Sequence, residues 1–194
     1  MLVGFTFVAA SRDNFNNRLS DAALELTKQS VSYDPRYFVI AYPNGDVPAN
    51  KGVCTDVVIR AYRKPGIDLQ KEVHEDMQPN FRLYPRIWGM SKTDRNIDHR
   101  RVLNLMVFFT RHGVVKVNSR KAPDYQPGDL VCWNLGGGMT PVGLVVNRRS
   151  ADGRRFLIVH TIGGGQVVAD CLFEFEIIGL YRYEGKAVTS VTKS

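Results

Sequence analysis

Apolar positions recur at two different periods along this chain, and the period changes near residue 113. In the first half the spacing is helical. Phe15, Leu19, Ala22, Ala23 and Leu26 fall on one face of a helix expected over residues 13–30. Ser32-Tyr33-Asp34-Pro35 ends it, because a residue before proline avoids the helical region. Tyr37–Tyr42 is an apolar and aromatic run expected to be extended. Turn formers follow at Asn44-Gly45-Asp46-Val47-Pro48 and Asn50-Lys51-Gly52, so a helix begins near Cys54, with Val57, Val58 and Ala61 on its buried face. Lys64-Pro65-Gly66 stops it, and a helix from Asp68 to Met77 carries Leu69, Val73 and Met77 one turn apart. Asp98-His99-Arg100-Arg101 opens another, whose apolar face is Val102, Leu105, Met106 and Phe109 and whose C-terminal cap is Gly113.

The second half reads as strands: Val114–Val117, Asp129–Trp133, Val142–Val146, Phe156–His160 and Ile177–Tyr183. Turns separate them at Gln126-Pro127-Gly128, Gly136-Gly137-Gly138, Asp152-Gly153 and Gly163-Gly164-Gly165. Helices followed by an antiparallel sheet predict an α+β fold. The expected organisation is an N-terminal arm or signal remnant over residues 1–19 that includes the start of the first helix, one domain over 20–184 and a C-terminal tail over 185–194.

Composition narrows the functional classes. The chain has 194 residues, 44% apolar and 23% charged, which suits a globular domain with a sizeable core. No apolar run approaches the roughly 18 residues that a membrane span needs. The net charge of +7 favours an anionic partner such as a bacterial cell wall. The basic residues come in scattered pairs, Arg100-Arg101, Arg148-Arg149 and Arg154-Arg155, without an aromatic-interleaved stripe, so no nucleic-acid partner is expected. Met1–Ser11 is similar to the end of a secretory signal but lacks a basic start; it is either a trimmed leader, implying a periplasmic or secreted protein, or an N-terminal arm.

The candidate chemistry centres on Cys54. A cysteine at a helix N-terminus meets unpaired N–H groups and the positive end of the helix dipole, which favour the nucleophilic thiolate; the alternative is a buried packing cysteine. Cys132 and Cys171 lie in an apolar run and beside a turn, as packing residues, and the three cysteines fit no zinc spacing. His74, Glu75 and Asp76 are adjacent on a helix and diverge, so no metal site is expected. The glycine triplets lack the Gly-Lys-Ser/Thr continuation of a phosphate loop and are sheet turns. Thiol chemistry needs a base. His74 and His112 read as solvated, His99 as a structural hydrogen-bonder, and His160 as a strand-end residue able to point at the Cys54 helix. Residues 78–96 form a long loop whose rings, Tyr84 and Trp88 among them, either line a binding site or cover the core.

The helix-borne Cys54, the run Pro127-Gly128-Asp129-Leu130-Val131-Cys132-Trp133 and the strand Pro141-Val142-Gly143-Leu144-Val145-Val146 resemble the NlpC-type cell-wall cysteine peptidases. More closely, four blocks resemble the domain of unknown function 1287 family over residues 20–184. These are Gly52–Ala61, Gly66–Gln70, Asn96–Val102 and Val159–Gly163. The resemblance implies a papain-like NlpC-type core, no cofactor, and a cysteine amidase or peptidase acting on peptidoglycan peptides. Cys54 would be its nucleophile, His160 its proton carrier, and Tyr84 and Trp88 would line the cleft. The family's base histidine belongs where this chain has Pro141, and the Gly-His-Tyr-Arg ending reads Gly179-Leu180-Tyr181-Arg182. Either another histidine, His160 or His99, serves as base, or the chain is a degenerate relative that binds cell-wall peptide or a protein partner without cutting.

Overall fold

A computed structural model describes residues 5–186, with side chains from residue 15 onward. Helix α1 (Phe5–Leu26) runs without interruption across residue 20 and begins eight residues before the start expected at residue 13. Its expected apolar face, Phe15, Leu19, Ala22, Ala23 and Leu26, is buried. The helix stops at Leu26, short of residue 30, where the Thr27 hydroxyl turns back to the Leu24 carbonyl. Two short strands follow, β1 (Ser32–Tyr33) and β2 (Lys51–Gly52), paired in parallel. Tyr37–Tyr42, expected to be extended, joins no ladder among the described residues. Its Ile40 N–H donates to the side chain of Asn96.

Helix α2 (Cys54–Arg63) begins at the cysteine, as the turn formers predict. Helix α3 (Leu69–Asn80) is capped by Asp68, whose carboxylate accepts from the Gln70 N–H, and continues three residues beyond Met77. The helix expected from Asp98 is divided. Asp98–Arg100 is a single 3-10 turn, Arg101 is extended, and helix α4 starts afterwards (Val102–His112). Gly113 ends α4 with its N–H on the Phe109 carbonyl, in an extended rather than left-handed conformation.

The sheet contains β3 (Val114–Val115), β4 (Asp129–Asn134), β5 (Val142–Arg149), β6 (Phe156–His160), β7 (Val167–Ala169) and β8 (Glu176–Arg182). Its order is β3-β8-β4-β5-β6-β7, antiparallel throughout. The fold is thus α+β. Strand β7 had no sequence signal beyond Val167-Val168, being too short to show alternation.

The sheet has two buried faces, and the pleat assigns each residue to one. Leu130 and Cys132 of β4, Val142, Leu144 and Val146 of β5, and Val159 of β6 share one core with α1, α2 and α4. Val131, Trp133, Val145, Ile158 and Leu180 face the other way, against Tyr125, Cys171 and Leu172. Gly143 belongs to this second face, since a Cβ there would lie 2.8 Å from the Trp133 ring and 2.5 Å from the Ile158 side chain.

Candidate functional site

The first turn of α2 is held by a buried ion pair. Asp56 accepts the Val53 N–H at 2.6 Å, closing the turn that carries Cys54. The same carboxylate takes two bonds from Arg100, each 2.9 Å. The Thr55 hydroxyl donates to the Arg100 carbonyl at 3.1 Å. The division of the Asp98 helix has its cause here, because Arg100 must turn both its carbonyl and its guanidinium toward α2. An acid two residues after the cysteine, at the third helical position, was a legible capping signal. Its distant partner was not.

Cys54 opens onto a cleft of about 520 Å³. One wall is the loop between β4 and β5, which contributes Leu135, Met139, Thr140 and Pro141. The other is the loop after β6, with Thr161, Ile162, Gly163 and Gly164, and Tyr33 of β1 completes the lining. Positive φ at Gly136, Gly137 and Gly138 folds the first loop back on itself. The lining is mainly apolar and carries no charged side chain.

Burial pushes the Cys54 thiol up, and the nearby Asp56 carboxylate adds to the shift. The N–H groups of Val142, Thr55 and Cys54 itself act in the opposite direction without overcoming burial. The thiolate expected from the helix N-terminus alone is therefore disfavoured. A partly closed apolar cleft removes more hydration from the anion than these donors return.

His160 does not point at Cys54. Its Cα pairs with that of Gly143, which places its side chain on the Trp133 face of the sheet, whereas α2 packs on the opposite face. Its Nδ1 accepts the Ile162 N–H at 3.0 Å, so the neutral ring carries its proton on Nε2. That Nε2 is buried and has no partner among the described residues. Neither nitrogen is free to receive the thiol proton, and burial lowers the ring's pKa further. A one-residue step explains the outcome: the strand-end position facing the cleft belongs to Thr161, whose buried hydroxyl has no partner among the described residues.

The other histidines lie elsewhere. His99 is buried, and desolvation together with Arg100 and Arg63 pulls its pKa down to about 3. His112, expected to be solvated, meets Asp76 at 2.8 Å, beside Arg111 at 2.8 Å on the same carboxylate. His74 contacts the Tyr42 ring edge-on.

Tyr84 and Trp88 are not cleft residues. Tyr84 is buried in the helical core and its hydroxyl donates to Asp76 at 2.6 Å. Trp88 lies under the Arg101 guanidinium, 4.3 Å from ring centre to carbon. Their loop is held to α3 through Tyr84 and to Arg101 through Trp88, so these rings cover the helical half instead of lining the cleft at Cys54. Tyr33, Thr161, Asp56 and Arg100 were not singled out from sequence. Among the described residues no cluster of three or more metal-ligating side chains occurs, and no helix is long and apolar enough to cross a membrane.

A family described as a domain of unknown function, DUF1287, matches residues 20–183. The uncharacterized protein YijF of Escherichia coli K12 is 45% identical over 170 residues, covering 88% of this chain and 82% of the relative. No solved structure matches. With nearly its whole described length inside the match, this chain belongs to the DUF1287 family.

Proposed function

We propose that the Cys54 cleft binds an amide-bearing peptide of the bacterial cell wall without hydrolysing it, on a core of NlpC-type, papain-like descent. One observation carries the reading: among the described residues no histidine or carboxylate lines the cleft beside the thiol. The cleft's titratable side chains are Tyr33 and Cys54, both shifted toward their neutral forms, and Pro141 stands where the family resemblance calls for a histidine. Removing one member of a nucleophile–base unit costs several powers of ten in rate, while the binding surface persists. A wall ligand would set the protein outside the cytoplasm and would suit its net charge of +7.

Amide hydrolysis is the competing reading. It draws on the main-chain N–H groups around the sulfur, which could stabilise an oxyanion once Cys54 had attacked. The two readings separate in one experiment. Soluble peptides released from peptidoglycan are titrated calorimetrically into the protein, and the mixture is followed by mass spectrometry. Heat of binding with unchanged ligand mass is the expected result. Release of a shorter peptide, lost in Cys54→Ala, would refute the non-hydrolytic reading and establish an amidase.

A further inference from the structure

The main chain of Tyr33 is an unused docking edge beside Cys54. In the parallel pair of β1 and β2, the Ser32 N–H donates to Asn50 and the Asp34 N–H donates to Gly52, at 2.9 and 3.0 Å. Alternation along a strand then turns the N–H and C=O of Tyr33 to the other edge, away from β2. No hydrogen bond reaches either group from the described residues. Tyr33 is half exposed and is one of the residues that line the cleft, so its unpaired main chain borders the ligand space.

The loop after β6 offers unpaired main chain as well. Gly163 and Gly164 line the cleft, and their main-chain groups make no hydrogen bond with the described residues. Nothing lies within 4 Å of the position a Cβ would take at either residue, so no side chain screens that wall. Two stretches of unpaired backbone thus line one mainly apolar, uncharged cleft. An extended peptide satisfies this arrangement, since its N–H and C=O groups alternate along both edges.

We infer that the cleft takes an extended, uncharged stretch of peptide that adds as a strand to the free edge of β1, exchanging two hydrogen bonds with the Tyr33 N–H and C=O. This rests on the binding role proposed above and specifies its geometry. Tyr33 directs the ligand backbone past the Cys54 sulfur, and Gly163 and Gly164 leave room for it on the far side. Charged side chains of the ligand project outward, because the lining has no countercharge for them.

The test removes one N–H at a time. Tyr33→Pro deletes the docking donor, while the ladder bonds of Ser32 and Asp34 do not use it, and proline is tolerated on an edge strand. Tyr33→Ala loses the ring but keeps the donor, so the further loss from Ala to Pro reports the main chain. The probe is a synthetic peptidoglycan stem pentapeptide, measured by calorimetry alongside its single N-methyl-amide analogues, which need no protein variant. The expected results are affinity about tenfold weaker for Tyr33→Pro than for Tyr33→Ala, and a loss of about tenfold for an N-methyl group at one ligand position. If the pentapeptide binds but the Pro and Ala variants agree and every analogue binds equally, the strand-addition geometry is wrong and the binding role stands. If the pentapeptide does not bind the native protein, the binding role fails and this geometry fails with it.

Discussion

The Asp56–Arg100 pair predicts the largest single loss of stability near the site. Both side chains are nearly inaccessible, at 4% and 2% exposure. Asp56→Ala leaves the guanidinium buried and uncompensated, which costs about 3–5 kcal/mol. It also strands the Val53 N–H at the start of α2, adding about 1 kcal/mol. The sum is roughly 4–6 kcal/mol, against a total stability of about 5–15 kcal/mol for a domain. With a urea slope of about 2 kcal/mol/M, the unfolding midpoint should fall by roughly 2–3 M. Asp56→Asn keeps an acceptor for Val53, so its deficit should be smaller by about the cap term. Removing both charges in Asp56→Ala/Arg100→Ala leaves no orphan ion, and the double variant should lose at least ~2 kcal/mol less than the two single losses added together. Urea unfolding followed by far-UV circular dichroism reads the native protein and the four variants, Arg100→Ala alone among them. Single-variant midpoints within about 0.5 M of the native value, or strict additivity in the double variant, would refute the claim that this pair holds the cysteine-bearing turn.

Two further outcomes test the electrostatics of the site. The rate of Cys54 alkylation by iodoacetamide, with Cys132→Ser and Cys171→Ser to isolate it, should rise only at a pH above that of a free thiol and should not change in His160→Ala; a midpoint below the free-thiol value, lost in that variant, would mean the thiol has a base after all. Burial raises the Asp98 carboxyl to about 6, so its contribution is full below the unfolded-state value near 4 and is lost as pH rises through 6. Asp98→Asn, which retains an acceptor for the Asp94 N–H, should therefore gain melting temperature relative to native protein at pH 7 but not at pH 4; equal differences at both would show that Asp98 is not shifted.

Local pattern was enough to determine the elements that bury a periodic stripe. The Cys54 helix, the Asp68 cap and the β4, β5, β6 and β8 strands were legible because each apolar residue votes independently for one period. The start of the Cys54 helix was legible for the same reason, since turn formers act over a few residues. Long-range geometry decided the rest. Whether His160 or Thr161 faces Cys54 depends on strand register, and a shift of one residue exchanges the faces. Tyr84 turned into the core because Asp76, eight residues earlier, offered its hydroxyl an acceptor. Arg100 broke a helix that its own neighbourhood favoured, because a buried carboxylate 44 residues away required its charge. The ionisation of Cys54 was the least accessible of all. The helix start that favours a thiolate is written in the sequence, whereas the closure of the cleft that disfavours it arises only when two loops and β1 meet around the sulfur.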